Sequence, residues 1–416
     1  MRRGDVLGAF EAALVATDPA RAVAGYIGAS QPISSIREGP SRPAELDGCV
    51  VIGIGKAAPG MVRGLSSVVS PSRGIVVSDH VEICPFPVII GDHPVPGQRS
   101  LRAGGRLVEF AASVAAGDTV VYCISGGASA VADVPVSGVS LEDLASLNET
   151  LLRSPIPIED ANEIRAAVSQ IKAGGLAAMV APARSITYVL SDVVGGGPEH
   201  VGSGPSIASG LGRRASAVID HYQLGQSIPV AVANAIARGR GYVPFSQDAT
   251  SHVVVVVSSP EVAAIAATTS LNQRSLPAEI ATYRMAGATA ETVEWLVGQG
   301  SAGPARVAAG ETTLDVRGAG RGGRNQHAAV VASILIEGTD RIFGAFATDG
   351  RDGPTDAAGA IVDGGSTERM RARGVDPIVA LQRFDSHTAL EASGDLLVTG
   401  PTGTNVADLW IAGSGR

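Results

Sequence analysis

One repeating pattern constrains the fold of this chain more than any other feature: a short aliphatic run, a Gly-rich loop, then a helical stretch. Cys49-Val50-Val51-Ile52 runs into Gly53-Ile54-Gly55-Lys56, and Gly74-Ile75-Val76-Val77 into Ser78-Asp79-His80. Thr119 to Ile124 runs into Ser125-Gly126-Gly127, and Ile186 to Leu190 into Ser191-Asp192. Runs that are apolar at nearly every position suit strands buried on both faces, with helices covering them. The fold class expected is α/β, opening with a Rossmann-like, doubly wound, largely parallel sheet. Hydrophobic residues make up 45% of the chain but aromatics only 4%, so the core is aliphatic, as such sheets require. With 416 residues there is material for two domains.

Helices are expected at 5–17, 100–115, 141–152 and 160–173, the last capped by Asp160 and stopped by Gly174-Gly175. Asp18-Pro19 reads as the cap and first position of another helix. Near 240–250 the pattern shifts. His252 to Val257 opens a second series, with helices at 260–271 and 286–299, strands at 305–309 and 313–317, and a helix from near Asn325. Further strands are expected at Ile342–Ala347 and Leu396–Thr399. The domains are therefore placed at 1–240 and 241–416.

The net charge of −8 argues against nucleic-acid binding, which needs a basic face. A local cluster of Lys and Arg can still serve an anionic substrate. Cys49, Cys84 and Cys123 have no zinc-site spacing and read as small hydrophobes in a reducing compartment. No signal-like apolar core is seen at the N-terminus, and no apolar run approaches the roughly 20 residues that span a bilayer. A cytoplasmic setting without membrane contact is expected, and a homodimer is a candidate assembly.

In open α/β sheets the C-terminal ends of the strands share one crevice. Gly53-Ile54-Gly55-Lys56 can bring backbone and a cation to an anion at a helix start, or can be a tight turn with a solvated Lys. It is too short for a Walker loop. Ser125-Gly126-Gly127-Ala128-Ser129 can make a nest of N–H groups and hydroxyls for phosphate or carboxylate, or a plain strand-to-helix turn. A serine hydrolase would need Gly where Val131 stands. Asp192, at a strand end, can accept a proton, hold Mg²⁺ or cap a loop. Gly318 to Gln326 carries Arg321 and Arg324 ahead of a helix, suited to bidentate anion recognition or simply solvated in a flexible loop. Asp349, Asp352 and Asp356 share one Gly-rich turn that can bind Mg²⁺ or close Asx-type hydrogen bonds.

Taken together and in order, these segments resemble the glycerate 2-kinase family, whose C-terminal half is the MOFRL domain. The matching stretches include Gly55-Lys56-Ala57-Ala58, His93-Pro94-Val95-Pro96, Ser191-Asp192-Val193 and Ser203-Gly204-Pro205. Later ones are Gly310-Glu311-Thr312-Thr313, Gly320 to Gln326, Thr348 to Ala360 and Thr399 to Val406. The resemblance spans nearly the whole chain. It implies two α/β domains with the active site in the cleft between them, and ATP with Mg²⁺ for phosphorylating a hydroxyl of a small hydroxy acid. It implies Lys56, Asp192 and Arg324 as catalytic residues. Gly55, Ser125, Gly126, Gly127, Ser129 and Asn325 would contact nucleotide or substrate, and Asp192, Asp349 and Asp352 are the metal candidates.

The chain also departs from the family. Gly196 and Gly197 replace two acidic residues, Arg165-Ala166-Ala167 replaces Arg-Lys-His, and Lys172-Ala173-Gly174-Gly175 replaces Lys-Gly-Gly-Arg. His327 and Arg351 stand for Glu and Thr. Polar losses confined to the N-terminal half point to a changed acceptor, larger or less charged than glycerate. Two other readings compete: a nucleotide-binding regulatory or partner protein without turnover, and a hydroxypyruvate reductase. The second lacks the third glycine of the dinucleotide fingerprint after Gly53 and Gly55.

Overall fold

The computed structural model describes residues 1–28, 45–154, 156–239, 252–298 and 303–415. The division expected at 240/241 lies outside them. By their contacts the residues group into two units, Pro19–Ser191 with Gly196–Val257, and Met1–Asp18 with Asp192–Gly195 and Ser258–Arg416. Among the described residues no helix is long and apolar enough to cross a membrane.

The first unit is built on six strands: β1 (Val50–Ile54), β2 (Arg73–Ser78), β3 (Val88–Ile90), β4 (Thr119–Ser125), β5 (Arg184–Leu190) and β6 (His252–Ser258). Their order is β3-β2-β1-β4-β5-β6, and the pairings from β3 through β5 are parallel. This is the doubly wound order in which the chain reverses direction between β1 and β4. Every residue of β1 is buried, as its unbroken aliphatic run requires. Gly53 in its middle is packed between Val62 and Val76, so a Cβ there would lie 3.1–3.3 Å from their methyls. The helix Gln98–Ala112 buries Ala103, Gly104, Leu107 and Ala111 along one stripe, a 3.6-residue period.

Two expectations need correction here. The His252 run does not begin a second domain's sheet; it completes the first sheet as β6. The helix expected at 160–173 spans Ile158–Ala167. The chain leaves the helix because the residues that follow have tertiary partners: Ser169 donates to buried Asp133 (2.5 Å), and buried Lys172 pairs with the same carboxylate. Asp160 does not cap this helix but sits in its first turn, accepting the Tyr222 hydroxyl at 2.9 Å.

The second unit has a mixed sheet, β7 (Ala278–Met285), β8 (Ala305–Gly310), β9 (Arg341–Ala347), β10 (Gly359–Asp363), β11 (Leu396–Leu397) and β12 (Asp408–Ser414). The order is β11-β10-β9-β12-β8-β7. β12 is antiparallel to both of its neighbours, β8 and β9. The strand expected at 313–317 is reduced to one bridge, Thr313 to Ala288. The helix Arg3–Thr17 belongs to this unit, where Phe10 stacks on Phe346 with ring centroids 4.3 Å apart. The helix Arg324–Leu335 buries its Ala and Val residues in a cluster with Phe343 and Trp410.

Candidate active site

In the first unit the parallel sheet delivers several of the singled-out loops to one edge. Pairing of Ile54 with Val77 and Ile124 brings the ends of β1, β2 and β4 level. The loops after β1 and β4, at the reversal point, are joined by hydrogen bonds: the Lys56 amide donates to Gly126 O and the Ala57 amide to Ser125 Oγ, both at 3.0 Å. Gly55 has φ +124°, and a Cβ there would lie 2.4 Å from Ser125 Oγ. Only glycine can bring the backbone this close.

Gly127 is also left-handed, with φ +82°. A Cβ on it would meet Lys56 Cγ at 3.0 Å and His93 Cδ2 at 3.4 Å. The half-buried Lys56 therefore lies over Gly127, with His93 beside it, above the loop expected to be either an anion nest or a plain strand-to-helix turn. Ser125 and Ser129 already have protein partners. Ser125 accepts the Ala57 amide, and Ser129 Oγ is 3.0 Å from Ser203 Oγ, which in turn donates to Asn162.

Asp79 and His93 were not singled out as site residues from sequence. Burial alone would raise the Asp79 carboxyl; a 2.7 Å contact with His80, with the charges of Lys56, His80 and His93, outweighs it and holds the group below the usual carboxylate range. Partial burial, then the charge of Lys56, pull the His93 imidazole below its usual value. The Ser-Asp-His strand end and the His-Pro pair were both visible; what sequence lacked was the parallel pairing of β2 with β3 that sets them beside Lys56.

The departures in this unit are accommodated by packing. Ala166 and Ala167 are buried, Ala167 within a hydrophobic cluster between helices. Over Gly197 lies the carboxylate of Glu199, 2.3 Å from where a Cβ would stand. Glu199 and His200 help line a cavity of about 610 Å³ with Ser209, Arg213 and Arg214.

In the second unit the register explains another convergence. Asp408, the first residue of β12, is paired with Gly310 at the end of β8 and with Ala347 at the end of β9. Glu311, Thr348-Asp349 and Asp408 thus share one edge. Arg324, at the start of its helix, reaches this edge. Its Nε and Nη2 donate to the two oxygens of Asp408 at 2.5 and 3.1 Å, and its Nη1 donates to Glu311 Oε1 at 2.6 Å. Burial works against the guanidinium's charge, but Asp408 and then Glu311 and Asp352 carry its pKa above the usual value. Asp408 is fully buried, and that burial lifts its carboxyl to about 6 against the pull of Arg324.

Asn325 and Asp352 have scaffold positions instead. Asp352 is buried and receives the backbone amides of Asn325 (3.1 Å) and Gln326 (2.8 Å), capping the helix, and both of their side-chain amides as well. The buried Asn325 carbonyl accepts the Trp410 indole N–H at 2.7 Å. The Gly-rich stretch before the helix is packed, not loose: a Cβ on Gly323 would lie 2.3 Å from Asp352, and one on Gly320 2.5 Å from Arg383 O. Asp349 is half-buried and uses one oxygen for the Arg351 amide at 3.0 Å. Asp192, directly after β5, is half-buried. Among the described residues no group of three or more His, Cys, Asp or Glu is assembled as a metal cage. Magnesium on a nucleotide needs only one or two carboxylates besides the phosphates. Asp349, half-buried and with one oxygen on the Arg351 amide, is compatible with that demand. Asp352, with both oxygens held by the helix start, is not.

Residues 5–237 match a family described as a domain of unknown function, DUF4147, and residues 305–408 match the MOFRL family. The chain is 34% identical to the D-glycerate 2-kinase of Thermotoga maritima, over 88% of this chain and 90% of that protein. It is 32% identical to the glycerate 2-kinase of Pyrococcus horikoshii, over 96% and 94%. The crystal structure of a Thermotoga maritima glycerate kinase superposes with a TM-score of 0.86 at 31% identity, covering 99% of this chain and all of that one.

Proposed function

The chain belongs to the glycerate 2-kinase family, and from that premise we propose that it transfers the γ-phosphoryl group of ATP, with Mg²⁺, to a hydroxyl of glycerate or a related larger hydroxy acid. The observation that carries the reading is Lys56 lying over Gly127 where the loops after β1 and β4 meet. That is where a doubly wound sheet binds its ligand, and phosphoryl transfer needs fixed positive charge rather than covalent chemistry. Lys56 supplies the charge, and the start of the helix after Gly127 supplies N–H donors. Arg324 supplies a second cation, held in place by Asp408. Asp192 accepts the proton of the attacking hydroxyl. Asp192 and Asp349 would hold Mg²⁺, which when bound neutralises charge on the phosphate oxygens.

A coupled assay for ADP release tests the reading, using glycerate and C4 to C6 sugar acids with and without Mg²⁺. ADP release dependent on both acid and metal is expected, lowered about 100-fold or more in Lys56→Met. A clear preference for glycerate over every longer acid would remove the larger-acceptor part of the proposal. Tight MgATP binding with no transfer to any acid would replace it with the non-catalytic reading.

A further inference from the structure

The guanidinium of Arg324 faces two carboxylates that differ in kind. Asp408 is 1% exposed, is fixed by strand pairing on both sides, and grips one edge of the fork through Nε and Nη2. Glu311 is 49% exposed on its side chain, follows β8, and meets Nη1 alone. Asp408 already balances the single charge of Arg324. Glu311 makes the cluster net negative, at a residue whose proposed task is to receive an anion. A guanidinium has five N–H groups, so the edge held by Asp408 can stay in place while the Nη1 contact changes partner.

We propose that Glu311 is a stand-in for the anion: its carboxylate occupies the Nη1 position that a phosphoryl or carboxylate oxygen of the ligand takes, and the ligand displaces it. Asp408 is the positioning residue that keeps the guanidinium oriented during the exchange. The buried, two-point Asp408 pair is the lasting one, because breaking it would strand a buried charge. The exposed single contact to Glu311 is weak and is the one that exchanges. The arrangement also selects: a weakly held anion does not repay the loss of the Glu311 contact, whereas a polyphosphate does. This inference rests on the reading that Arg324 faces an anionic group of nucleotide or acceptor.

The test is calorimetric titration of MgATP, MgADP and inorganic pyrophosphate into the full chain at low ionic strength, with wild type, Glu311→Gln, Glu311→Asp, Asp408→Asn and Arg324→Lys. Glu311→Gln is expected to tighten each ligand roughly fivefold, the equivalent of one exposed ion pair. The gain should shrink in high salt, and Glu311→Asp should return most of it. Asp408→Asn is expected to act in the opposite sense, weakening binding about tenfold or more. Should Asp408→Asn not fold, the exposed Glu311 variants still decide. Unchanged or weaker binding in Glu311→Gln overturns the inference, since the carboxylate would then be out of the anion's way or would help hold it. Wild type and Arg324→Lys binding all three ligands equally would sink the role assigned to Arg324 itself.

Discussion

Replacing Asp352 by Ala separates a helix cap from a metal ligand. In the folded protein its carboxylate receives the backbone amides of Asn325 and Gln326, together with Asn325 Nδ2 and Gln326 Nε2. Both neighbours are fully buried, so water cannot replace the lost acceptor. Gln326 Nε2 retains Thr355 Oγ1 and Asp352 O, which leaves the two backbone amides and Asn325 Nδ2 without a partner. At about 1–2 kcal/mol for each orphaned donor the gross cost is roughly 3–6 kcal/mol. Against this stands the relief of a buried charge: burial, aided by the charge of Asp408, raises the Asp352 carboxyl to about 6 despite its amide donors. That relief offsets on the order of 3 kcal/mol, for a net loss of about 1–2 kcal/mol. Urea denaturation followed by tryptophan fluorescence reads this out. Trp295 and Trp410 are the only tryptophans of the chain and both belong to the second unit, so the signal is local to the perturbed helix. Metal concentration should leave the shift unchanged. Unfolding within about 0.5 kcal/mol of wild type, combined with an activity loss that added Mg²⁺ reverses, would refute the cap and make Asp352 a metal ligand.

Other consequences can be measured on the same protein. His252 is buried at the start of β6, neither ring nitrogen has a partner among the described residues, and burial lowers its imidazole to about 4. Its depressed folded pKa means that the unfolded chain takes up the proton first, near 6.5, so stability is full above that pH and falls below it, by about 2 kcal/mol at pH 5. Denaturation curves of His252→Leu against pH should lack this fall; parallel curves would argue against it. Gly127→Ala forces a side chain into a left-handed residue and onto Lys56, so kcat is expected to drop about tenfold, with the far-UV dichroism unchanged. Equal kcat would mean that Lys56 does not need its place over the loop. Arg324→Lys keeps the charge but cannot reproduce the side-on grip of Asp408, so kcat/KM should fall about 100-fold, and retention of activity would make Arg324 a plain point charge.

Strands β1, β2, β4 and β5 of the first sheet, and the loops that end them, were legible because each is a local pattern; the three-residue β3 is too short to show one. An unbroken aliphatic run specifies a doubly buried strand by itself, and the glycines at 55 and 127 mark places where the backbone comes too close for a Cβ. What local pattern cannot carry is pairing at a distance. Asp408 enters the cluster of Arg324 only through the register of β12, and no spacing in the sequence announces it. Asn325 was expected to contact the ligand only through the resemblance; Trp410, far along the chain, occupies its side-chain oxygen. Helix 160–173 stops early for the same reason, since Ser169 and Lys172 answer to Asp133. The His252 run has the texture of any buried strand, and texture does not say which sheet a strand joins.

The order β9-β12-β8 places β12 between two strands that both precede it in the chain. Until β12 arrives, β8 and β9 have no partner between them, and the helix Arg3–Thr17, made before all of these strands, lacks the finished sheet on which Phe10 comes to rest. Assembly of this unit on the ribosome must therefore wait for Asp408–Ser414, with open strand edges exposed in the meantime. Its nucleus is built from contacts far apart in the chain, so it should fold more slowly than the first unit, whose strands β1 to β5 pair largely in chain order. Arg324 gains its buried partner with the same insertion, so a nascent chain cannot hold that guanidinium in its folded place before β12 has entered the sheet.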